Sequence, residues 1–164
     1  MFELDRLRSL ADITRQQRAD RPQAIAQIFE GRETRFGTLD ERASRLANGL
    51  RALGLLPQAR IAYLGKNSDR FFELVFGAFK ANVVIVSVNW RLALPEMAWI
   101  LNDAGCEALF VGAEYYALVP ALLAECPHLR SVIAMDGDAD HPAFDGWRDA
   151  QSDIDPMLEI GPDD

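Results

Sequence analysis

Between residues 83 and 88 the chain reads Val-Val-Ile-Val-Ser-Val. A run this short and this rich in β-branched residues has no polar face. It reads as a central parallel strand covered on both sides. The stretch before it, residues 71–79, carries Phe71, Phe72, Leu74, Val75, Phe76, Ala78 and Phe79, and a helix apolar all round is a buried one. Behind the strand come Asn89, Trp90, Arg91 and Leu92, and Pro95 opens the next helix. Ligands of open α/β sheets sit just outside the carboxyl ends of strands, so Asn89–Arg91 is the first place to look for one.

The rest of the chain fits around that core. Apolar residues spaced for a helix run from 3 to 20 and stop at Arg21-Pro22. Ala24–Phe29 and Glu33–Phe36 flank Glu30-Gly31-Arg32 as a hairpin. Thr38 with Glu41 reads as a capping box for a helix that Gly54 ends. Arg60–Leu64 is a strand, Gly65–Ser68 its loop, and Asn67 or Ser68 caps the Phe-rich helix, with Asp69 in its first turn. Helix Pro95–Ala104, strand Glu107–Val111, helix Tyr115–Glu125 and strand Ser131–Met135 follow. Strand and helix alternating from residue 60 onward mark an α/β fold: a doubly wound, mostly parallel sheet with helices on both faces, preceded by a short N-terminal hairpin. The division expected is an α/β subdomain over 1–135 and an acidic loop or linker over 136–164. That tail holds ten acidic residues, with Phe144–Gln151 as its one helical stretch.

Composition excludes several classes. A net charge of −8 over 164 residues is not a nucleic-acid footprint. No apolar stretch reaches the ~18 residues of a membrane span, and the N-terminus has no apolar targeting region. The default location is therefore cytoplasmic. Cys106 and Cys126 form no CxxC pair and read as two reduced thiols.

Most motif-like strings fail as chemistry. Gly65-Lys66-Asn67-Ser68 resembles the end of a phosphate loop, but Arg60 stands where its first glycine belongs and Asn67 where its hydroxyl belongs. The string reads as a strand-to-helix turn. Asp136, Asp138 and Asp140 have the spacing that opens a calcium loop, but His141 and Trp147 occupy the positions of its glycine and its bidentate glutamate. His128 and His141 lie in loops with no nucleophile pattern near them. No catalytic and no metal-ligating residue is assigned. Arg91 is the one candidate: its guanidinium could hold a phosphate by paired hydrogen bonds, or simply pack on Trp90 or pair with Glu96.

Three strings together resemble a family: Thr38-Leu39-Asp40-Glu41-Arg42-Ala43-Ser44-Arg45-Leu46-Ala47, then Arg60-Ile61-Ala62-Tyr63-Leu64, then Val88-Asn89-Trp90-Arg91-Leu92 with Glu96 and Ile100-Leu101-Asn102-Asp103. In order and spacing they look like the N-terminal region of AMP-forming acyl-CoA synthetases, in the adenylate-forming superfamily. Two departures stand out. Ala81-Asn82-Val83 replaces the family's Ala-Gly-Ala, with Asn82 able to take a glycine's left-handed backbone. Ser87-Val88-Asn89 replaces Pro-Leu-Asn.

The resemblance implies a parent enzyme joining a carboxylate to coenzyme A with ATP and Mg²⁺; its order and spacing point to the superfamily and little to the substrate, and the fatty-acid group is the expectation adopted. The family's phosphate loop, ribose aspartate and late lysine are absent from residues 1–164. The expectation is thus an inactive N-terminal fragment that binds no cofactor tightly by itself. By resemblance Arg91 meets a phosphate of the CoA nucleotide. Two further expectations stand beside this one: a stand-alone flavodoxin-like binding or interaction module, and a homodimer formed through helix 3–20.

Overall fold

The computed structural model describes residues 7–137 and 140–161. They form two compact units: Met1–Pro57 with Asn67–Asn82 and Arg148–Asp164, and Gln58–Lys66 with Val83–Trp147.

The first unit holds helix α1 (Ala11–Asp20), hairpin strands β1 (Ile25–Phe29) and β2 (Arg32–Arg35), helix α2 (Phe36–Ala52) and helix α3 (Asp69–Lys80). The helix expected over 3–20 starts only at Ala11; residues 1–6 lie outside the described ones. Asp12 is the reason. Its Oδ2 accepts the backbone N–H groups of Arg8 and Ser9 at 2.9 and 3.0 Å, folding the lead-in back onto the first turn. Glu30 and Gly31 both take positive φ, 50° and 79°, the signature of a tight two-residue hairpin turn.

The capping box at Thr38 does not form. Helix α2 begins two residues earlier, at Phe36, with no side-chain cap. Backbone carbonyls do the capping: Phe36 N–H donates to Ala24 O at 3.0 Å and Gly37 N–H to Pro22 O at 2.9 Å. The expected apolar face of α2 is buried at Leu39, Ala43, Leu46, Ala47 and Leu50, and Gly54 follows at φ 79°. Ser68 caps α3, its Oγ accepting from Phe71 N–H at 3.2 Å.

Helix α3 is not the uniformly buried helix its phenylalanines suggest. Phe72 is 47% exposed and Phe71, Phe76 and Phe79 are half-buried, while Glu73 and Lys80 are fully buried. The packed face is Leu74, Gly77 and Ala78. A Cβ at Gly77 would fall 2.5 Å from Leu46 Cβ, so the glycine lets α3 close on α2. Charged residues flank that narrow seam, and each finds a buried partner.

The second unit is a four-stranded parallel sheet: β3 (Arg60–Leu64), β4 (Val84–Val88), β5 (Cys106–Val111) and β6 (Ser131–Ala134), in the order β4-β3-β5-β6. The Val-Ile-Val-Ser-Val strand is therefore not central. It is an edge strand, with Val84 and Ser87 exposed and only Val88 buried. Its sequence is that of a covered strand because β-branched residues suit any strand; position within a sheet depends on non-local pairing that the run itself does not encode. The central strands are β3 and β5.

Helices α4 (Leu94–Ala104) and α5 (Val119–Glu125) cover one face. Met97, Ala98, Leu101 and Leu122 pack there with Ala62, Leu64, Leu109 and Val111. Alternation along β5 turns Phe110 to the other face, where its ring meets Phe144 and Trp147 of α6 (Phe144–Asp149) at 6.3 and 5.7 Å.

The helix expected over 115–125 is a 3-10 turn, Ala113–Leu118, followed by α5. Pro120 has no N–H for an α-type bond back to Tyr116, so the α-helix starts afresh around it. Gly105 ends α4 at φ 63°. Among the described residues no helix is long and apolar enough to cross a membrane.

Candidate functional site

Walking along the sheet, the chain passes from β3 outward to β4 on one side, then from β5 outward to β6 on the other. The direction reverses between β3 and β5. Their carboxyl ends are thus the switch point at which open α/β sheets form a crevice. The loops leaving these strands are joined there: Gly112 N–H, just past β5, donates to Leu64 O, the last residue of β3, at 2.9 Å. Gly65 leaves room for the Tyr63 ring, while Gly112 stands at ordinary contact distance from Gly65. A Cβ on Gly112 would lie 3.6 Å from Gly65 Cα, and one on Gly65 would lie 2.9 Å from Tyr63 Oη. Tyr63 in turn donates to Lys66 O at 2.5 Å, fixing the loop that carries Lys66.

Arg91, the candidate from sequence, stands beside this switch point in the turn after β4. It is exposed. Asn89 Oδ1 accepts from Arg91 N–H at 3.1 Å, a side-chain-closed turn that orients the residue. The guanidinium carbon lies 4.1 Å from the centroid of the Trp90 ring. That is the stacking alternative raised by the sequence. The pairing alternative does not occur, because Glu96 is engaged elsewhere: its Oε2 accepts from Ala93 N–H at 2.8 Å, at the start of α4. Among the described residues Arg91 has no carboxylate partner, so its charge is uncompensated and available to a ligand.

Lys66 is the functional candidate that the sequence reading passed over as part of a failed phosphate loop. Its Nζ lies 5.8 Å from the same Trp90 ring and 2.9 Å from Glu114 Oε1. The pair shifts both partners: the Glu114 carboxylate holds the Lys66 ammonium above its ordinary pKa, and Lys66 holds Glu114 below the usual carboxylate value. Trp90 also packs on Tyr115, ring centroids 6.4 Å apart. Tyr116 Oη accepts from Asp136 N–H at 3.0 Å, while Asp136 Oδ2 accepts from Ala113 N–H at 3.1 Å. Asp136, the first carboxylate of the calcium-like spacing, is thus committed to bracing this loop; residues 138 and 139 of that string lie outside the described ones. No local pattern could have revealed Lys66, because Trp90 and Glu114 reach it only through the pairing of β3 with β4 and β5.

An open apolar depression of about 430 Å³ follows on, lined by Leu92, Pro95, Glu96, Trp99 and Ile100. Cys106 and Cys126 lie apart from the site and are reduced and buried. Burial, reinforced by the neighbouring Cys126, pushes the Cys106 thiol up to about 11, which leaves it unreactive at neutral pH. The arrangement at the strand ends is therefore two cations held against one indole ring, one of them paired with the Glu114 carboxylate.

Residues 14–164 match the family model described as AMP-binding enzyme. The chain is 34% identical over 158 residues to a fatty acid–[acyl-carrier-protein] ligase of Streptomyces coeruleorubidus, covering 96% of this chain and 29% of that protein. It is 37% identical over 143 residues to a feruloyl-CoA synthase of Amycolatopsis, covering 87% of this chain and 26% of that one. Among solved structures, a Mycobacterium tuberculosis fatty acyl CoA synthetase superposes with a TM-score of 0.84 at 26% identity, over 93% of this chain and 30% of that one. The chain thus spans less than a third of the length of the curated relatives it matches.

Proposed function

Because the chain belongs to the AMP-binding enzyme family, we propose that it is the N-terminal part of an ATP-dependent acyl-CoA synthetase. The whole enzyme would join a carboxylate to ATP, giving an acyl-adenylate and pyrophosphate, and then pass the acyl group to the thiol of coenzyme A with release of AMP. A fatty acid is the substrate we favour, on the name of the first relative described above. An aromatic acid is the second reading, favoured by the identity to feruloyl-CoA synthase. The same two relatives differ in their acceptor, carrier protein in one and CoA in the other.

Within this reading Arg91 contacts a phosphate of the CoA nucleotide. The observation that carries it is the uncompensated guanidinium held on Trp90 at the strand ends. On this reading Arg91 binds and does not catalyse, and the 164-residue chain by itself is inactive. Incubated with ATP, Mg²⁺ and a fatty acid, the 164-residue chain is expected to release no pyrophosphate above the buffer rate. Pyrophosphate release, or saturable micromolar ATP binding in calorimetry, would overturn the proposal.

A further inference from the structure

Two cations share the Trp90 ring, Arg91 at 4.1 Å and Lys66 at 5.8 Å, yet only Lys66 has a carboxylate. Like charges held on one ring repel, and an anion bridging them relieves that repulsion. Glu114 does half of this in the free protein. The Lys66–Glu114 pair is well exposed, the side chains 60% and 52% accessible. Exposed pairs contribute little to stability, so opening one costs little. A phosphate monoester brings up to two negative charges and three acceptor oxygens, and can therefore replace one carboxylate oxygen while also engaging Arg91. The residue that would yield, Glu114, sits on the 3-10 turn just beyond β5, and Lys66 on the loop beyond β3. The exchange takes place at the switch point itself.

We propose that Lys66 is a second phosphate-binding residue, held in reserve by Glu114, and that with Arg91 it selects an acceptor whose thiol arm carries a nucleotide phosphate over one carried as bare phosphopantetheine on a protein. This rests on the reading of Arg91 given above and adds to it a displaceable internal anion. Lys66 and Glu114 then set acceptor preference: Lys66 rewards the nucleotide phosphate, and Glu114 excludes weaker anions that cannot bridge both cations. Trp90 is the ring against which both cations are held, at 5.8 and 4.1 Å from its centroid.

The test is a titration of the 164-residue chain with adenosine 3′,5′-bisphosphate, read by calorimetry and by the Trp90 indole N–H resonance, with 4′-phosphopantetheinyl-serine, the phosphodiester of a carrier-protein arm, as the comparison probe. Glu114→Gln is expected to tighten bisphosphate binding about 3- to 10-fold and Lys66→Ala to weaken it by a similar factor. Lys66→Arg keeps near-wild-type affinity, and the phosphodiester 4′-phosphopantetheinyl-serine binds more weakly than the bisphosphate to the wild type. Unchanged affinity in both Glu114→Gln and Lys66→Ala, with Arg91→Ala still abolishing binding, would overturn the role of Lys66 and leave the Arg91 reading standing. Equal binding of the two probes would overturn the acceptor preference. An Arg91→Ala protein that binds like the wild type, or a Trp90 resonance that never moves, would overturn both.

Discussion

Among the described residues the first unit fully buries Lys80, a cation, where the second buries Phe110 and Phe144, two benzene rings. The Lys80 ammonium lies 2.6 Å from Asp40 Oδ1 and 2.7 Å from Asp155 Oδ2, and donates to Ser44 Oγ at 2.9 Å. Asp155 is also gripped by Arg15, whose Nε and Nη2 donate to its two oxygens at 2.9 Å each. A second buried pair joins Arg148 to Glu73 at 2.6 Å, with Arg42 on the other Glu73 oxygen at 2.7 Å. Arg45 and Asn48 donate to backbone carbonyls of Asp149, Gln151, Ser152 and Ile154. Among the described residues of the second unit no buried ion network of this kind occurs, and Leu109, Phe110, Val111 and Leu122 are buried with apolar neighbours. The contrast shows what each unit asks of its sequence. An apolar core tolerates any residue of suitable shape, whereas a buried ion network fails when one member is lost.

The largest expected effect follows from that difference. Lys80→Ala removes the one buried cation that Asp40 and Asp155 share, leaving them to the more exposed Arg18 and to Arg15, and is expected to cost ~3–5 kcal/mol in urea denaturation. Lys80→Met combined with Asp155→Asn and Asp40→Asn removes the lysine and both its carboxylates together, leaves Arg15 its Asp12 partner, and recovers most of the loss. If the triple variant is as unstable as Lys80→Ala, the unit depends on hydrophobic packing after all and the contrast collapses. In the second unit Leu109→Ala is expected to cost ~2–5 kcal/mol by cavity formation. No change at a polar position should restore it.

Acid separates the two units next. Burial by itself would raise the Asp155 pKa, but the hydrogen bonds from Arg15, Lys80 and the Met157 N–H outweigh it and hold the carboxyl far below its ordinary value. A folded pKa below the unfolded one contributes stability in full above about pH 4 and loses it as pH falls toward the folded value. The urea midpoint of the wild type is therefore expected to fall below pH 4 and converge on that of Asp155→Asn, while the deficit of Leu109→Ala stays constant across the same range. Parallel curves for wild type and Asp155→Asn would show that the pair does not titrate with folding.

Local features of this fold were legible and non-local ones were not. The alternation after residue 60, the Ser68 cap and the Gly54 stop depend on neighbouring residues, and each forms as expected. The edge position of β4, the backbone capping of Phe36 and the burial of Glu73 and Lys80 depend on partners 12 to 75 residues away in the chain. The same division holds at the candidate site. Arg91 announced itself by standing behind a strong strand. Lys66 looked like a broken motif, because Trp90 and Glu114 are brought to it by sheet pairing.

Asn82 is the finest of these readings. It was expected to take the left-handed backbone of a glycine, and it does so at φ 53°. That conformation suits Gly and Asn and disfavours other side chains. Asn82→Gly should therefore change stability by less than about 0.5 kcal/mol, and Asn82→Ala should cost about 1 kcal/mol. Both are measurable as shifts in urea midpoint at constant slope. Equal losses in the two variants would mean that the asparagine side chain itself, and not the backbone it permits, is what the turn before β4 requires.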